Sequence, residues 1–521
     1  MKSRAHRITP LLLLLSALIA LLAARNAGAG AWRAAVDPAV LAAYQEAEEV
    51  EFIVLLTERT DLSMAREQSS KLAKGRFTYR ALRETASASQ ADLLAELSNA
   101  GLSSGVTYRP FWIVNAVWVK ADADILRQLA QRQDVKYIYG NPRLPFDAPV
   151  TQDPGLNPDA TETVEWNLSL IGAPELWQRA IDGRGVVIGG QDTGYDWRHD
   201  ALINQYRGWD GQSENHDYNW HDAIHSSDGV CGADSDEPCD DHGHGTHTMG
   251  TMVGDDGGSN KIGVAPAARW IGCRNMDRGV GTPATYIECF EWFIAPTKID
   301  GSDPEPSMAP DIINNSWSCP PDEGCNDPGI LQDAVDAVRA AGILTVQSAG
   351  NRGPGCATID TPAAIYDASL TVGATTSSDH IASYSSRGPV LIDGSGRQKP
   401  DVVAPGSAIR SSYLNGGYNT LSGTSMAAPH VAGLAALLIS AVPNLAGQVD
   451  RLESLILDSA VHKTSSQTCF HLPGDQVPNA VFGHGRIDAV AALRLTLPHK
   501  IILLMIHHNS PIGSTDAMYT R

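Results

Sequence analysis

The sequence predicts an α/β protein in two parts: a large domain on a mainly parallel sheet with helices on both faces, preceded by a small α/β sandwich. Three observations predict it. Short, mainly apolar runs at residues 186–190, 312–314, 343–348 and 370–372 alternate with helix-period segments at 333–341 and 427–439. Buried strands separated by helices make a parallel sheet covered on both sides. Residues 49–146 alternate more quickly, which suits a small sandwich of ferredoxin-like kind. Finally, 521 residues at 43 % hydrophobic content exceed what one core usually holds.

In order along the chain, Lys2, Arg4 and Arg7 precede an apolar run at 11–24 and the small residues Ala27, Gly28 and Ala29. This is the pattern of a signal peptide over residues 1–29, and the run is shorter than the roughly 20 residues a membrane span needs. In the small unit, 51–56 is predicted as a strand and 79–100 as a helix with Leu82, Leu93, Leu94 and Leu97 on its apolar side. A strand at 112–119, a helix at 123–131 and a strand at 135–139 complete it. A Pro-, Asp- and Asn-rich linker follows, with a processing site expected within 147–163. The large domain runs over 164–498, and residues 499–521 match no pattern.

The net charge of −20 excludes nucleic acid and anionic lipid surfaces as natural partners, since both are polyanions. The eight cysteines, behind an export signal, point to disulfides. Cys231 with Cys239 and Cys319 with Cys325 would close short loops. Pairing Cys273 with Cys289 and Cys356 with Cys469 is one of several ways to join the rest. No C-x-x-C spacing supports zinc.

Four short segments carry the chemistry. Gly190-Gln191-Asp192-Thr193-Gly194 ends an apolar strand, and strand carboxyl ends in parallel sheets form the crevice where ligands bind. Asp241-His242-Gly243-His244-Gly245-Thr246-His247 is a histidine-rich turn. Ala349-Gly350-Asn351 ends another strand. Gly423-Thr424-Ser425-Met426-Ala427-Ala428-Pro429-His430 opens an apolar helix. Singly, each has an ordinary reading: a cap, a turn, a loop. Together they supply what nucleophilic catalysis by serine needs: a hydroxyl, a base, a carboxylate to orient the base, and fixed donors for an oxyanion.

On these segments the chain resembles the subtilisin family of serine peptidases, over roughly residues 164–498. The order Asp, His, Ser is that family's own. The resemblance implies Asp192, His244 and Ser425 as catalytic triad and Asn351 as oxyanion-hole donor, with no cofactor needed for the chemistry. It implies that His242, His247 and His430 are not catalytic, and that His199 belongs to the aspartate motif. It makes the small unit an inhibitory propeptide that the enzyme itself cuts away. Protein or peptide substrates, a monomer, and a secreted or periplasmic location are the corresponding expectations.

Further residues follow from the same resemblance. Ser316, Trp317 and Ser318 would pair with extended substrate, together with Ala349 and Gly350. The family usually has Gly where this chain has Ser318, and Trp317 is either a pocket wall or a core residue. Asp360 falls at the floor of the specificity pocket, where a carboxylate would favour Lys or Arg; the plain alternative is a surface-loop Asp. Family members often bind calcium. Asp234, Asp236, Glu237, Asp240 and Asp241 crowd the loop before His244, which suits Ca²⁺ or a solvated acidic loop. An α/β-hydrolase is excluded because Ala427 stands after Met426, where the G-x-S-x-G motif around Ser425 would need glycine, and by the reversed order. A relative that works in acid with Ser, Glu and Asp would carry a carboxylic acid where this chain has Asn351. A catalytically degenerate, protein-binding scaffold is the non-enzyme alternative.

Overall fold

The structure is a computed structural model and describes residues 31–145 and 164–496. The expected signal peptide, the processing linker at 147–163 and the tail from 499 lie outside the described residues.

The N-terminal unit runs β1 (Val50–Leu56), α1 (Lys71–Ser89), α2 (Ala91–Ser104), β2 (Thr107–Phe111), β3 (Ala116–Ala121), α3 (Ala123–Ala130) and β4 (Val135–Gly140). Its four strands pair antiparallel in the order β2-β3-β1-β4, as expected of a β-α-β-β-α-β path. Phe52, Val54, Leu93, Leu97, Val117, Val119 and Ile138 fill the core. Asp122 starts α3 by accepting the N–H groups of Asp124 and Ile125, each at 2.9 Å.

Three local expectations are corrected here. The helix expected at 79–100 is two helices, α1 and α2, meeting at Gln90. That side chain turns inward, and its Nε2 donates to Phe111 O at 3.0 Å and Asn115 Oδ1 at 3.1 Å. The strand expected at 112–119 is a hairpin whose turn occupies 112–115, with Asn115 at φ 50°. The unit also reaches back beyond residue 49: Val36 and Val40 are buried in its core, and Asp37 N–H bonds Ile138 O at 2.9 Å.

After β5 (Leu144–Pro145) the large domain supplies β6 (Val187–Asp192), β7 (Trp220–Asp222), β8 (Arg269–Arg274), β9 (Met276–Asp277), β10 (Val280–Gly281), β11 (Ile312–Asn315), β12 (Leu344–Ser348), β13 (Ser369–Thr375) and β14 (Val402–Pro405). Seven of these form one sheet, β14-β13-β12-β11-β6-β8-β7, with every neighbouring pair parallel. The principal helices are α4 (His244–Val253), α5 (Pro283–Ile294), α6 (Gln332–Ala340), α7 (Thr424–Ala441), α8 (Val449–Asp458) and α9 (Ala489–Thr496). One face is covered by α4, α7, α8 and α9, the other by α5 and α6. This is the predicted architecture, and the apolar runs of β11 and β12 are buried along their whole length. Among the described residues, α7 is long and apolar enough to cross a membrane; every residue from Thr424 to Ile439 is buried inside the domain.

The N-terminal unit packs against the α5 and α6 face, where Ile53, Leu55 and Leu82 join the second core. Lys71 Nζ donates to Asp311 Oδ1 and Ala309 O, both at 2.8 Å, and Arg109 pairs with Glu288 at 2.9 Å. Glu291 Oε2 accepts the N–H groups of Trp112 at 2.6 Å and Ile113 at 2.9 Å. The last two described residues of the unit, β5, pair antiparallel with β10. The four disulfides are Cys231–Cys239, Cys273–Cys289, Cys319–Cys325 and Cys356–Cys469, which leaves no free cysteine.

Candidate active site

The site lies at the carboxyl ends of the parallel strands. β6 ends in Asp192, 1 % exposed. Its Oδ1 accepts the N–H of Thr193 at 2.8 Å and His244 Nδ1–H at 2.7 Å, while Oδ2 accepts Thr248 Oγ1 at 3.2 Å. The glycines of the motif have steric reasons. Gly194 has φ +111°, and a Cβ there would sit 1.8 Å from Cys239 O; a Cβ on Gly245 would sit 2.1 Å from Gly194 O. The turn after Asp192 can lie against Cys239, and the start of α4 against that turn, only without side chains at these two positions.

His244 opens α4 and is 1 % exposed. Its segment is fixed by Asp240, which sequence reasoning treated only as a possible calcium ligand. Asp240 Oδ1 accepts His242 N–H at 3.0 Å, Gly243 N–H at 2.8 Å and Thr193 Oγ1 at 2.9 Å. Its Oδ2 accepts Thr246 N–H at 3.0 Å and Thr246 Oγ1 at 2.6 Å. Thr193 Oγ1 in turn accepts Gly245 N–H at 3.0 Å.

Ser425 lies in the first turn of α7, 5 % exposed, where backbone N–H groups and the positive end of the helix dipole point outward. Its Oγ donates to Ser316 O at 3.1 Å, and Ser316 Oγ donates back to Ser425 O at 3.0 Å. Pro429 explains the second bond: it lacks the N–H that would bond the carbonyl four residues earlier, so Ser425 O is available to Ser316. Asn351 Oδ1 accepts Thr424 N–H at 2.9 Å and Thr424 Oγ1 at 3.0 Å. With its oxygen so committed, the Asn351 amide keeps its NH₂ end for donation. Gly350 N–H bonds Thr424 Oγ1 at 3.1 Å, and Ala349 is fully buried. Thr424 therefore ties the 349–351 segment to Ser425, a role its place in the motif did not disclose.

His247, His430 and His199 are buried and hydrogen-bonded, and His242 is half-buried. Burial pushes His247 down to about 3, with Nε2 on Ile409 O at 3.0 Å. Burial pushes His430 down to about 4; its Nδ1–H donates to Met426 O at 2.8 Å, and Nε2 accepts Asn167 Nδ2–H at 2.7 Å. His199 Nε2–H donates to Gly417 O at 2.8 Å, while Nδ1 accepts Ala201 N–H at 3.0 Å. Burial, then the neighbouring His244, lowers His242.

Trp317 is a core residue: it is 2 % exposed and stacks on Tyr286 with ring centroids 4.0 Å apart. Ser318, Gly350, Thr358, Asp360 and Thr361 line a cavity of about 150 Å³. The loop closed by Cys319–Cys325 adds Asp322 and Glu323 to its wall. Arg352, also at the wall, pairs with Asp322 at 2.9 and 3.0 Å and with Asp360 at 3.4 Å. Burial raises the Asp360 carboxyl, against the pull of Arg352. Asp360 is thus a pocket residue and not a surface-loop one; Asp322 and Arg352 were missed because the pocket assembles residues 30 positions apart.

The acidic loop does not fit a calcium site. Asp234 pairs with His225, Glu237 with Arg198 at 2.8 Å, Asp241 with Arg274 at 2.7 Å, and Asp236 is exposed. Among the described residues, no group of three or more His, Cys, Asp or Glu side chains could hold a metal ion. Sequence reasoning also missed β10. The two-residue strand lacks any periodicity, yet it carries the ladder to the N-terminal unit.

A doubly covered parallel sheet with a buried Asp–His pair and a helix-borne serine at its carboxyl edge defines the subtilisin-like class of serine peptidases. The chain belongs to the subtilase family, whose model matches residues 183–485. It is 35 % identical to Bacillopeptidase F of Bacillus subtilis over 452 residues, covering 82 % of this chain and 29 % of that protein. It is 30 % identical to the minor extracellular protease Epr of the same species, covering 62 % of this chain and 43 % of Epr. With subtilisin E it shares 29 % identity over 71 % of this chain and 81 % of the relative. The chain thus spans less than half the length of the first two relatives.

Proposed function

We propose that the chain is a secreted serine endopeptidase with Asp192, His244 and Ser425 as its triad, made as a precursor that cuts itself. The observation that carries this reading is the buried 2.7 Å bond between His244 Nδ1 and Asp192 Oδ1, taken with a serine in the first turn of α7. The carboxylate fixes the tautomer that leaves Nε2 as base. In the reaction, Ser425 Oγ gives up its bond to Ser316 O, transfers its proton to His244 Nε2 and attacks the scissile carbonyl. The Asn351 amide and the N–H groups at the start of α7 hold the oxyanion. As the tetrahedral species collapses, His244 returns the proton to the leaving amine. Water then repeats the sequence on the acyl-enzyme.

The N-terminal unit acts as propeptide and inhibitor. Its end, β5, pairs with β10, and β10 issues from the same sheet edge as Asp192, which lies in register with Arg274 of β8. The chain therefore enters the cleft as an extended strand just before the linker. Export fits the four disulfides. In the pocket, three carboxylates face one guanidinium, which favours Lys or Arg at the cleaved position. Asp360→Ser is expected to lower cleavage after basic residues relative to aromatic ones; an unchanged ratio refutes that preference.

Wild-type and Ser425→Ala proteins, expressed in parallel, test the main reading. Wild type is expected to yield a shortened product that digests casein, and the variant to stay full length and inactive. A normally shortened Ser425→Ala product contradicts self-processing, and casein digestion by that variant contradicts the triad.

A further inference from the structure

Arg274, the last residue of β8, is the most deeply buried cation near the cleft, with a side chain 0 % exposed. Its Nη1 donates to Asp222 Oδ2 at 3.2 Å and to Gly232 O at 3.0 Å. Its Nη2 donates to Asp241 Oδ2 and Asp277 Oδ1, both at 2.7 Å. One guanidinium thus joins the end of β7, the Cys231–Cys239 loop, the segment leading to His244, and β9. Such burial is tolerated only when the charge is matched on every side.

What it fastens is a hairpin. β9 and β10 are joined by Arg278 at φ 49° and Gly279 at φ 76°. That is a two-residue turn with both central residues left-handed, which favours Asn or Gly at the first position. Arginine there is strained, and the bond from Arg278 N–H to Asp241 Oδ1 at 2.8 Å holds it. Asp241 therefore grips Arg274 with one oxygen and the hairpin tip with the other. Asp277 adds a bond from Ser227 Oγ at 2.7 Å. The edge of β10 away from β9 is the one that pairs with Leu144 and Pro145. Arg274 reaches the segment leading to His244 through Asp241, whereas the turn that carries His244 itself is held by Asp240 and Thr193.

We propose that Arg274 is a positioning residue for extended substrate. It locks the β9–β10 hairpin so that β10 can take an incoming strand, and it acts on substrate grip without acting on the bond-breaking groups. This rests on the serine-peptidase reading above.

The test compares wild type with Arg274→Gln, Arg274→Lys and Asp277→Asn on a hexapeptide amide and on a single-residue ester, with melting curves for each. Asp277→Asn leaves Arg274 its bonds to Asp222 and Asp241, so it serves should Arg274→Gln not fold. KM for the hexapeptide is expected to rise about tenfold in Asp277→Asn and Arg274→Gln, as for loss of one charge-assisted contact. The kcat on the ester is expected to stay within about threefold, because the reacting groups are untouched. Arg274→Lys, whose ammonium cannot reproduce the planar fork, is expected to recover only part of the hexapeptide KM. Equal losses on both substrates, or an unchanged hexapeptide KM in a variant that melts like wild type, overturn the proposal. Labelling with a fluorophosphonate separates the two readings: an unlabelled wild-type enzyme overturns the serine mechanism itself, whereas labelled variants with flat KM values overturn only the role of Arg274.

Discussion

The cleft and the seat of the N-terminal unit are built on opposite plans. At the cleft, Asp192, His244 and Ser425 stand on three elements joined by one apolar core, and each polar partner is itself bonded again. At the seat, the contact combines apolar packing with a two-residue ladder and a few charges: Lys71 on Asp311, Arg109 on Glu288, and two backbone N–H groups on Glu291. The first plan fixes atoms. The second holds a piece of chain that the proposed mechanism must later release.

The largest expected effect isolates the first region. Ser425→Ala should lower peptide hydrolysis by about 10⁵–10⁶-fold, the scale for removing a nucleophile that works as a unit with its base. Docking of the N-terminal unit should be unchanged, as measured by its resistance to an added protease. Next, Asn351→Ala should lower kcat by about 10²–10³ with little change in melting temperature. A loss within a factor of a few removes Asn351 from the oxyanion hole.

A third substitution tests the second region. Glu291→Ala strands the N–H groups of Trp112 and Ile113, at a cost of about 1–3 kcal/mol. In the Ser425→Ala background the N-terminal unit should then be digested faster while the large domain keeps its melting point. Equal softening of both would erase the contrast.

The two regions should also part on the pH axis. Burial holds His247 at about 3 and His430 at about 4, below the roughly 6.5 of an unfolded histidine. The unfolded chain binds more protons in that interval. Stability from these groups is therefore complete above about pH 6.5 and is lost as pH falls toward 3–4. Burial instead raises Glu291 to about 8, above the roughly 4.3 of a free carboxyl. Its contribution is complete below about pH 4 and is lost as pH rises through 8. Melting of the Ser425→Ala protein should show an acid flank that Glu291→Gln leaves in place and an alkaline flank that it removes. At the small end, Arg127→Ala breaks an exposed pair with Asp124 and should move stability by no more than about 0.5 kcal/mol.

What was legible in the sequence follows the same division. The motifs around Asp192, His244, Asn351 and Ser425 could be read because each side chain is set by its immediate neighbours: a strand end, a glycine turn, a helix start. Four strands of the main sheet, β6, β11, β12 and β13, announced themselves as apolar runs; β7, β8 and β14 did not. The seat was not legible, because Glu291 and Trp112 are 179 positions apart and nothing local marks either. β10 is too short to carry a period. The break between α1 and α2 depends on Gln90 reaching a distant hairpin, a tertiary contact that overrides helical periodicity. The acidic loop misled for a related reason: its carboxylates are matched by Arg274, Arg198 and His225, whose approach only the fold reveals.

The central claim is that Ser425 is a nucleophile made reactive by His244 and Asp192. Locating a fluorophosphonate adduct by mass spectrometry tests it most directly. The adduct is expected on Ser425 in wild type and is expected to be absent in His244→Ala. An adduct on another residue, or undiminished labelling of Ser425 without His244, contradicts the account.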